Sequence, residues 1–252
     1  MKVEKNRSKF TFALATLILS LLSTVPVYAM HIMEGFLPVP WAIGWAVVSL
    51  PVVILGIKKI SEQSSNSQMM MLMVLTGAYV FVLSALKIPS VTGSCSHPTG
   101  TGLAAIMFGP LVSSVLATIV LIFQAVLIAH GGITTLGANV FSMGIIGPAV
   151  AYGVFKLLKG KNTEYLKDKN KVLFAVFAAS TVGDLFTYVI TALQLALAHP
   201  GESILASFTK FASVFAVTQV PLALIEGILT AVVFSFIAER NREELNLLQV
   251  TA

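Results

Sequence analysis

The sequence predicts an all-α integral membrane protein with about seven membrane helices, one of them short and part of a hairpin, behind a cleavable signal peptide. Three observations carry that prediction. Of 252 residues, 56% are hydrophobic and only 11% are charged, against roughly 25% charged in an average soluble domain. The mean hydropathy is +0.90, so there is too little polar surface to cover a globule of this size and most of the exterior must face lipid. The apolar residues also fall in runs near the ~20 that a helix needs to cross a bilayer, separated by short basic clusters.

The net charge of +5 comes from those clusters, which act as topology signals between spans and not as a nucleic-acid footprint. The single cysteine, Cys95, excludes an intramolecular disulfide and an all-thiolate metal cage. There is no G-x-x-x-x-G-K-[ST] loop, no H-E-x-x-H and no G-x-S-x-G. The chain therefore cannot draw on ATP by a phosphate loop, and neither a metalloprotease nor a serine hydrolase is expected. No catalytic residue and no bound cofactor is assigned.

Two units are expected. Residues 1–29 have the layout of a signal peptide, with a basic start at Lys2, Lys5, Arg7 and Lys9 and an apolar run over 10–22. Val27 and Ala29 supply small residues at −3 and −1, so cleavage falls before Met30; an uncleaved anchor helix is the alternative. Residues 30–252 form a single transmembrane metal-binding domain. Cleavage creates chemistry, because the new α-amine of Met30 lies one residue before His31. That amine, the His31 backbone nitrogen and the His31 imidazole can close two small chelate rings on one ion, a donor set suited to late first-row divalent metals.

Spans are expected near 38–57, 68–89, 137–158, 171–198 and 203–238, with a Gly/Pro-interrupted stretch at 98–129. The loop with Lys156, Lys159, Lys161, Lys167, Lys169 and Lys171 belongs in the cytoplasm by the positive-inside rule. With the mature N-terminus outside, this requires 98–129 to leave from and return to the outer face, as a hairpin broken at Gly109-Pro110. A single long crossing is the alternative, and it would put the lysine loop outside. The hairpin topology places His31, His97, His130 and His199 on one side, with a cytoplasmic C-terminus.

His97 is the expected remaining nitrogen ligand, in the external loop Ser94-Cys95-Ser96-His97-Pro98-Thr99-Gly100. Cys95 is either a soft ligand or a small buried residue. Ser96 belongs to the same polar group. The loop with His130, Gly131, Gly132, Thr134, Thr135 and Asn139 has two readings, orienting the ligand histidines by hydrogen bonds or capping helix ends. Glu34 offsets the cation's charge or holds the N-terminal segment. Asp184 and Glu226 lie within apolar spans, where an ionisable group is costly and marks function or a buried partnership; they are expected well below the outer loops, as packing or coupling elements, with Gln194, Gln219 and Thr187 as available partners. His199-Pro200-Gly201 has the form of a helix stop. Ala42, Gly44 and Ala46 give the first span a small-residue face.

Four stretches together resemble one known family. They are Met30-His31-Ile32-Met33-Glu34-Gly35-Phe36-Leu37-Pro38, Ser94-Cys95-Ser96-His97-Pro98-Thr99-Gly100, Ala129-His130-Gly131-Gly132-Ile133-Thr134-Thr135-Leu136-Gly137-Ala138-Asn139 and Gly183-Asp184-Leu185. They are similar to the CbiM-type cobalt-transport proteins, the substrate-binding (S) components of energy-coupling-factor (ECF) importers. The resemblance implies a seven-helix S component holding Co2+ by the Met30 amine, the His31 backbone and ring nitrogens and His97, in a near-planar arrangement. It implies a supply of cobalt for cobalamin biosynthesis. It also implies partners: a transmembrane coupling (T) component, cytoplasmic ATPase subunits and a small auxiliary membrane protein, all at the cell membrane. Nickel-transport relatives share the chelate, so Ni2+ is the alternative cargo; an intramembrane metallohydrolase and a stand-alone metal channel are the more distant alternatives. Relatives commonly begin directly at Met-His, whereas this chain carries 29 residues more.

Overall fold

The computed structural model describes residues 28–29, 31–63, 66–86, 88–89, 94–160, 165 and 167–241, with backbone alone at 28–29, 63, 88–89 and 94–95. The expected signal peptide lies outside the described residues except for Tyr28 and Ala29, and so does Met30. Among the described residues there are seven helices: α1 (Val39–Gln63), α2 (Ser67–Ala85), α3 (Thr101–Phe108), α4 (Pro110–Ile128), α5 (Leu136–Lys159), α6 (Lys169–Ala198) and α7 (Ile204–Arg240). All but α3 are long and apolar enough to cross a membrane. Large apolar side chains on the outer face of α1, among them Ile43, Val47, Leu50 and Ile54, are exposed, as a lipid-facing surface requires.

Helix ends follow local chemistry. Asn66 accepts hydrogen bonds from the amides of Gln68 and Met69 at the start of α2, and Ser203 accepts from the amide of Ala206 at the start of α7, satisfying donors that a first turn leaves open. The second span stops at Ala85, short of the expected 89. Ile88–Pro89 is instead extended, because the residue before a proline is biased away from helix. Those two residues form β2 of a small sheet with β1 (Tyr28–Ala29) and β3 (Ser94–Ser96), in order β1-β3-β2. β1 runs parallel to β3 and β2 antiparallel. Strands of two or three residues carry no periodicity for a sequence to reveal.

The Gly/Pro-interrupted stretch is a hairpin. Gly109 has φ +84°, a conformation that L side chains rarely adopt, and Pro110 opens α4, where a missing N–H costs nothing. The first limb, α3, is eight residues long and wholly buried, so it reaches about 12 Å, less than half of a ~30 Å hydrocarbon core. Its non-helical approach, residues 97–100, is buried by protein, which is what permits irregular backbone at membrane depth. His97 precedes α3, His130 follows α4, and their ring centroids are 4.9 Å apart. A single long crossing would separate them by the thickness of the bilayer, so that alternative is overturned.

α3 sits at the centre of the core, with Leu103, Ile106 and Met107 packed among Val80, Met143, Val176 and Phe234. The small-residue face of α1 meets α5, where a Cβ on Gly137 would stand 2.4 Å from the Cα of Ala46. In α5 the residues Val140–Ile146 form a π-helical turn between α-helical ends, ahead of Pro148, which has no N–H to offer the ladder. Such turns recur at functional sites, and this one carries Met143 and follows Asn139.

Candidate metal centre

His31, His97 and His130 come from three separate segments and converge. One ligand atom from each lies within 4.8 Å of the others, and the residues are 4%, 2% and 0% exposed. The His31 and His97 rings stack at 4.5 Å, and His130 stands edge-on to His31 at 4.4 Å. Three imidazoles gathered this tightly in a buried place form a donor set for a late first-row cation.

His31 reaches this position because the segment that carries it is tied down along its length. Asn139 holds the Ile32 peptide from both sides: the Ile32 amide donates to Oδ1 (2.8 Å) and Nδ2 donates to the Ile32 carbonyl (3.0 Å). The Thr135 hydroxyl donates to the same carbonyl at 2.5 Å. Ile32 and Leu37 bury their side chains against Ala138, Tyr188, Leu195 and Phe215. The 130–139 loop therefore holds the backbone of the segment that carries His31.

Glu34 holds the segment instead of facing the cluster, as the amide of Thr134 donates to its carboxylate at 3.2 Å. Gly132 makes that approach possible, since a Cβ there would lie 2.5 Å from the Cα of Glu34. The hydrogen bond from the Thr134 side chain lowers the Glu34 pKa most; desolvation opposes it, and the amides of Thr134 and Ile133 add smaller contributions to the lowering. A depressed carboxylate contributes stability that is present above the ordinary carboxylate range and lost as pH falls through its lowered value. Protection of the Thr134 amide from hydrogen exchange is thus expected to persist in mild acid and to drop once Glu34 is protonated. In Glu34→Gln that acid step is expected to vanish.

His199 is more than a helix stop. It ends α6, yet its Nε2 lies 3.0 Å from the Phe36 carbonyl, to which it donates, and the two rings meet at 5.1 Å. All four histidines therefore lie at one end of the bundle.

His97 is fixed from below. Its Nδ1 is 3.0 Å from the Pro98 carbonyl; a carbonyl only accepts, so Nδ1 carries the proton and Nε2 is the nitrogen left to bind a cation. Its own carbonyl accepts from the Tyr188 hydroxyl and from Gln219 Nε2. Gln219 also donates to Asp184 Oδ2 at 2.6 Å. Glu226 takes the amides of Thr99 (2.5 Å) and Gly100 (2.9 Å) and the Thr99 hydroxyl.

The expectation that both acids lie well below the loops is corrected, because residues 97–100 are themselves buried and dip into the bundle to meet them. Glu226 holds the Thr99–Gly100 backbone directly, and Asp184 acts on it through Gln219, which also donates to the His97 carbonyl. Of the other expected partners, Gln194 donates to the Ala138 carbonyl and Thr187 to that of Gly183. Ser96 bonds Thr218 at 2.6 Å, the residue next to Gln219. The side chain of Cys95 lies outside the described residues, as does Met30. The sequence reading missed Met143, whose Sδ is 3.1 Å from His31 Nε2.

Comparison with known proteins gives these features a context. Residues 31–244 match the family model described as CbiM, "Cobalt uptake substrate-specific transmembrane region". The chain belongs to the CbiM family. The cobalt transport protein CbiM of Clostridium tetani is 54% identical over 237 residues, covering 92% of this chain and 95% of the relative. That of Desulforamulus reducens is 58% identical over 221 residues, covering 86% and 84%. The Acetohalobium arabaticum CbiM, 51% identical, covers 98% of this chain. The uncovered 2% of 252 residues is about five, so that match extends into the 29 residues ahead of Met30. Among solved structures, the crystal structure of a truncated transition metal transporter superposes with TM-score 0.69 at 26% identity, covering 83% of this CbiM-family chain and 98% of that chain.

Proposed function

We propose that this CbiM-family chain is the substrate-capture subunit of an ATP-driven ECF importer that takes up Co2+ for cobalamin biosynthesis. The observation that carries the reading is the convergence of His31, His97 and His130, buried, at one end of a membrane bundle. In this reading the signal peptide is removed and the mature N-terminus lies outside. The Met30 amine, the His31 backbone and ring nitrogens and His97 Nε2 then hold the cation in a near-planar set, and His130 orients it. The relatives' names favour Co2+ over Ni2+; the nitrogen donors suit either.

The chain has no phosphate loop, so energy comes from partners: cytoplasmic ATPase subunits, a transmembrane coupling component and a small auxiliary membrane protein. ATP hydrolysis there reorients the capture subunit and the cation is released inside. The C-terminus and the lysine loop face the cytoplasm in this reading. Capture needs a deprotonated amine and imidazole, so affinity falls in acid.

The test is a Co2+ titration of the purified protein beginning at Met30, beside a version with one extra residue ahead of it. Loss of an outer hydrogen-bond partner alone costs about 10–100-fold in metal affinity, so blocking the amine is expected to cost on the order of a hundredfold or more. Equal affinity in the two removes the chelate from the account. Uptake of Co2+ in vesicles lacking any ATPase would overturn the importer reading separately.

A further inference from the structure

Met143 comes from the π-helical turn of α5 and touches His31 on the ring edge that the chelate does not use. We propose that its thioether fixes the tautomer of His31, accepting the Nε2 proton so that the Nδ1 lone pair faces the cation. The inference rests on the function proposed above and adds a residue to it. A small chelate ring that includes the His31 backbone nitrogen can be closed only through Nδ1, because Nε2 is on the far side of the ring. A neutral imidazole carries one proton, and the hydrogen bond made by one nitrogen decides the state of the other.

The surroundings of Nε2 leave it one role at this contact. Sulfur in a thioether accepts and cannot donate, and it is 3.1 Å away. A cavity of about 10 Å³ borders His31 and Met143 there, no larger than a single water requires. The hydroxyls that line it send their protons elsewhere: Ser142 to the Ala138 carbonyl, Thr187 to that of Gly183, Thr191 to that of Thr187, and Tyr188 to that of His97. Because the sulfur can only accept, Nε2 is the donor at this contact.

The choice of sulfur has a consequence for transport. Ligating histidines usually donate to a carboxylate, a carbonyl or water, which orients the ring and raises its basicity. A thioether is a weak acceptor. It orients the ring with a smaller gain in basicity, which suits a site that must also let its cation go.

Two substitutions separate this role from packing. Met143→Leu conserves volume and removes the acceptor; Met143→Gln has similar length and supplies a carbonyl oxygen. If Met143 only fills space, Leu is tolerated and a buried Gln is harmful. The tautomer role reverses that order. In Co2+ titrations of the protein beginning at Met30, Leu is expected to weaken binding about 10–100-fold. Gln is expected to bind within a few-fold of wild type or tighter, with slower release into a competing chelator.

A measurement on the wild type stands apart from any folding defect. The 15N ring shifts of His31, assigned with His31→Ala, are expected to show the proton on Nε2 in the metal-free protein. Leu binding as well as Gln, or a proton on Nδ1, overturns the inference and leaves the proposed function intact. A wild-type protein that takes no Co2+ overturns both.

Discussion

His97→Ala is expected to remove tight Co2+ binding from the protein that begins at Met30, a loss on the order of a hundredfold or more, read by titration of the metal. The size follows from geometry. Nδ1 of His97 is committed to the Pro98 carbonyl and its backbone carbonyl is held by two donors from α6 and α7, so Nε2 is presented with little freedom to lose on binding. Such preorganisation is what makes a single ligand worth much. His130→Ala is expected to cost less, about 10–100-fold, because in the proposed arrangement it orients the donor set and does not complete it. Equal and total loss in both variants would make His130 a ligand of the same standing, replacing the planar set by a three-histidine one.

Glu226→Leu is expected to destabilise the protein and weaken metal binding together. The carboxylate accepts the Thr99 and Gly100 amides in a place where the residue is 0% exposed. Removing it leaves two buried donors without partners, at about 1–3 kcal/mol each, and frees the loop that presents His97. Glu226→Gln retains one accepting oxygen but must aim an N–H2 at the other amide, so an intermediate loss is expected. Thermal unfolding in detergent, followed by Co2+ titration of whatever remains folded, checks both effects. A Leu variant that melts with wild type and binds Co2+ normally would show that the loop holds its shape unaided.

The hairpin was legible because two independent constraints meet there. Six lysines between 156 and 171 fix one side of the membrane, and Gly109-Pro110 marks where the chain can turn. His97 and His130 stood out by their polar, glycine-containing loops, and His31 by its place beside Met30 at the expected cleavage site. What holds them was not. The grip of Asn139 on Ile32 spans 107 positions, that of Glu226 on Thr99 spans 127, and the contact of Met143 with His31 spans 112. No local pattern encodes a pairing at such distance. A methionine in an apolar helix is also indistinguishable, by sequence, from one that merely fills space. The two acids were placed too deep relative to the site for a related reason: apolarity marks where spans run, and the short descent of residues 97–100 into the bundle leaves no such mark.

The clasp of Asn139 and Thr135 on Ile32 engages peptide groups alone, so it is indifferent to which side chain residue 32 bears yet admits no sliding of the strand that it grips. Lengthening the chain ahead of Met30 therefore leaves the imidazole of residue 31 where it is and alters one functional group, the terminal nitrogen. In the function proposed above, removal of the leader then works as a chemical switch on a scaffold that is already assembled, and an uncut precursor would carry the same cage with one of its donors disarmed.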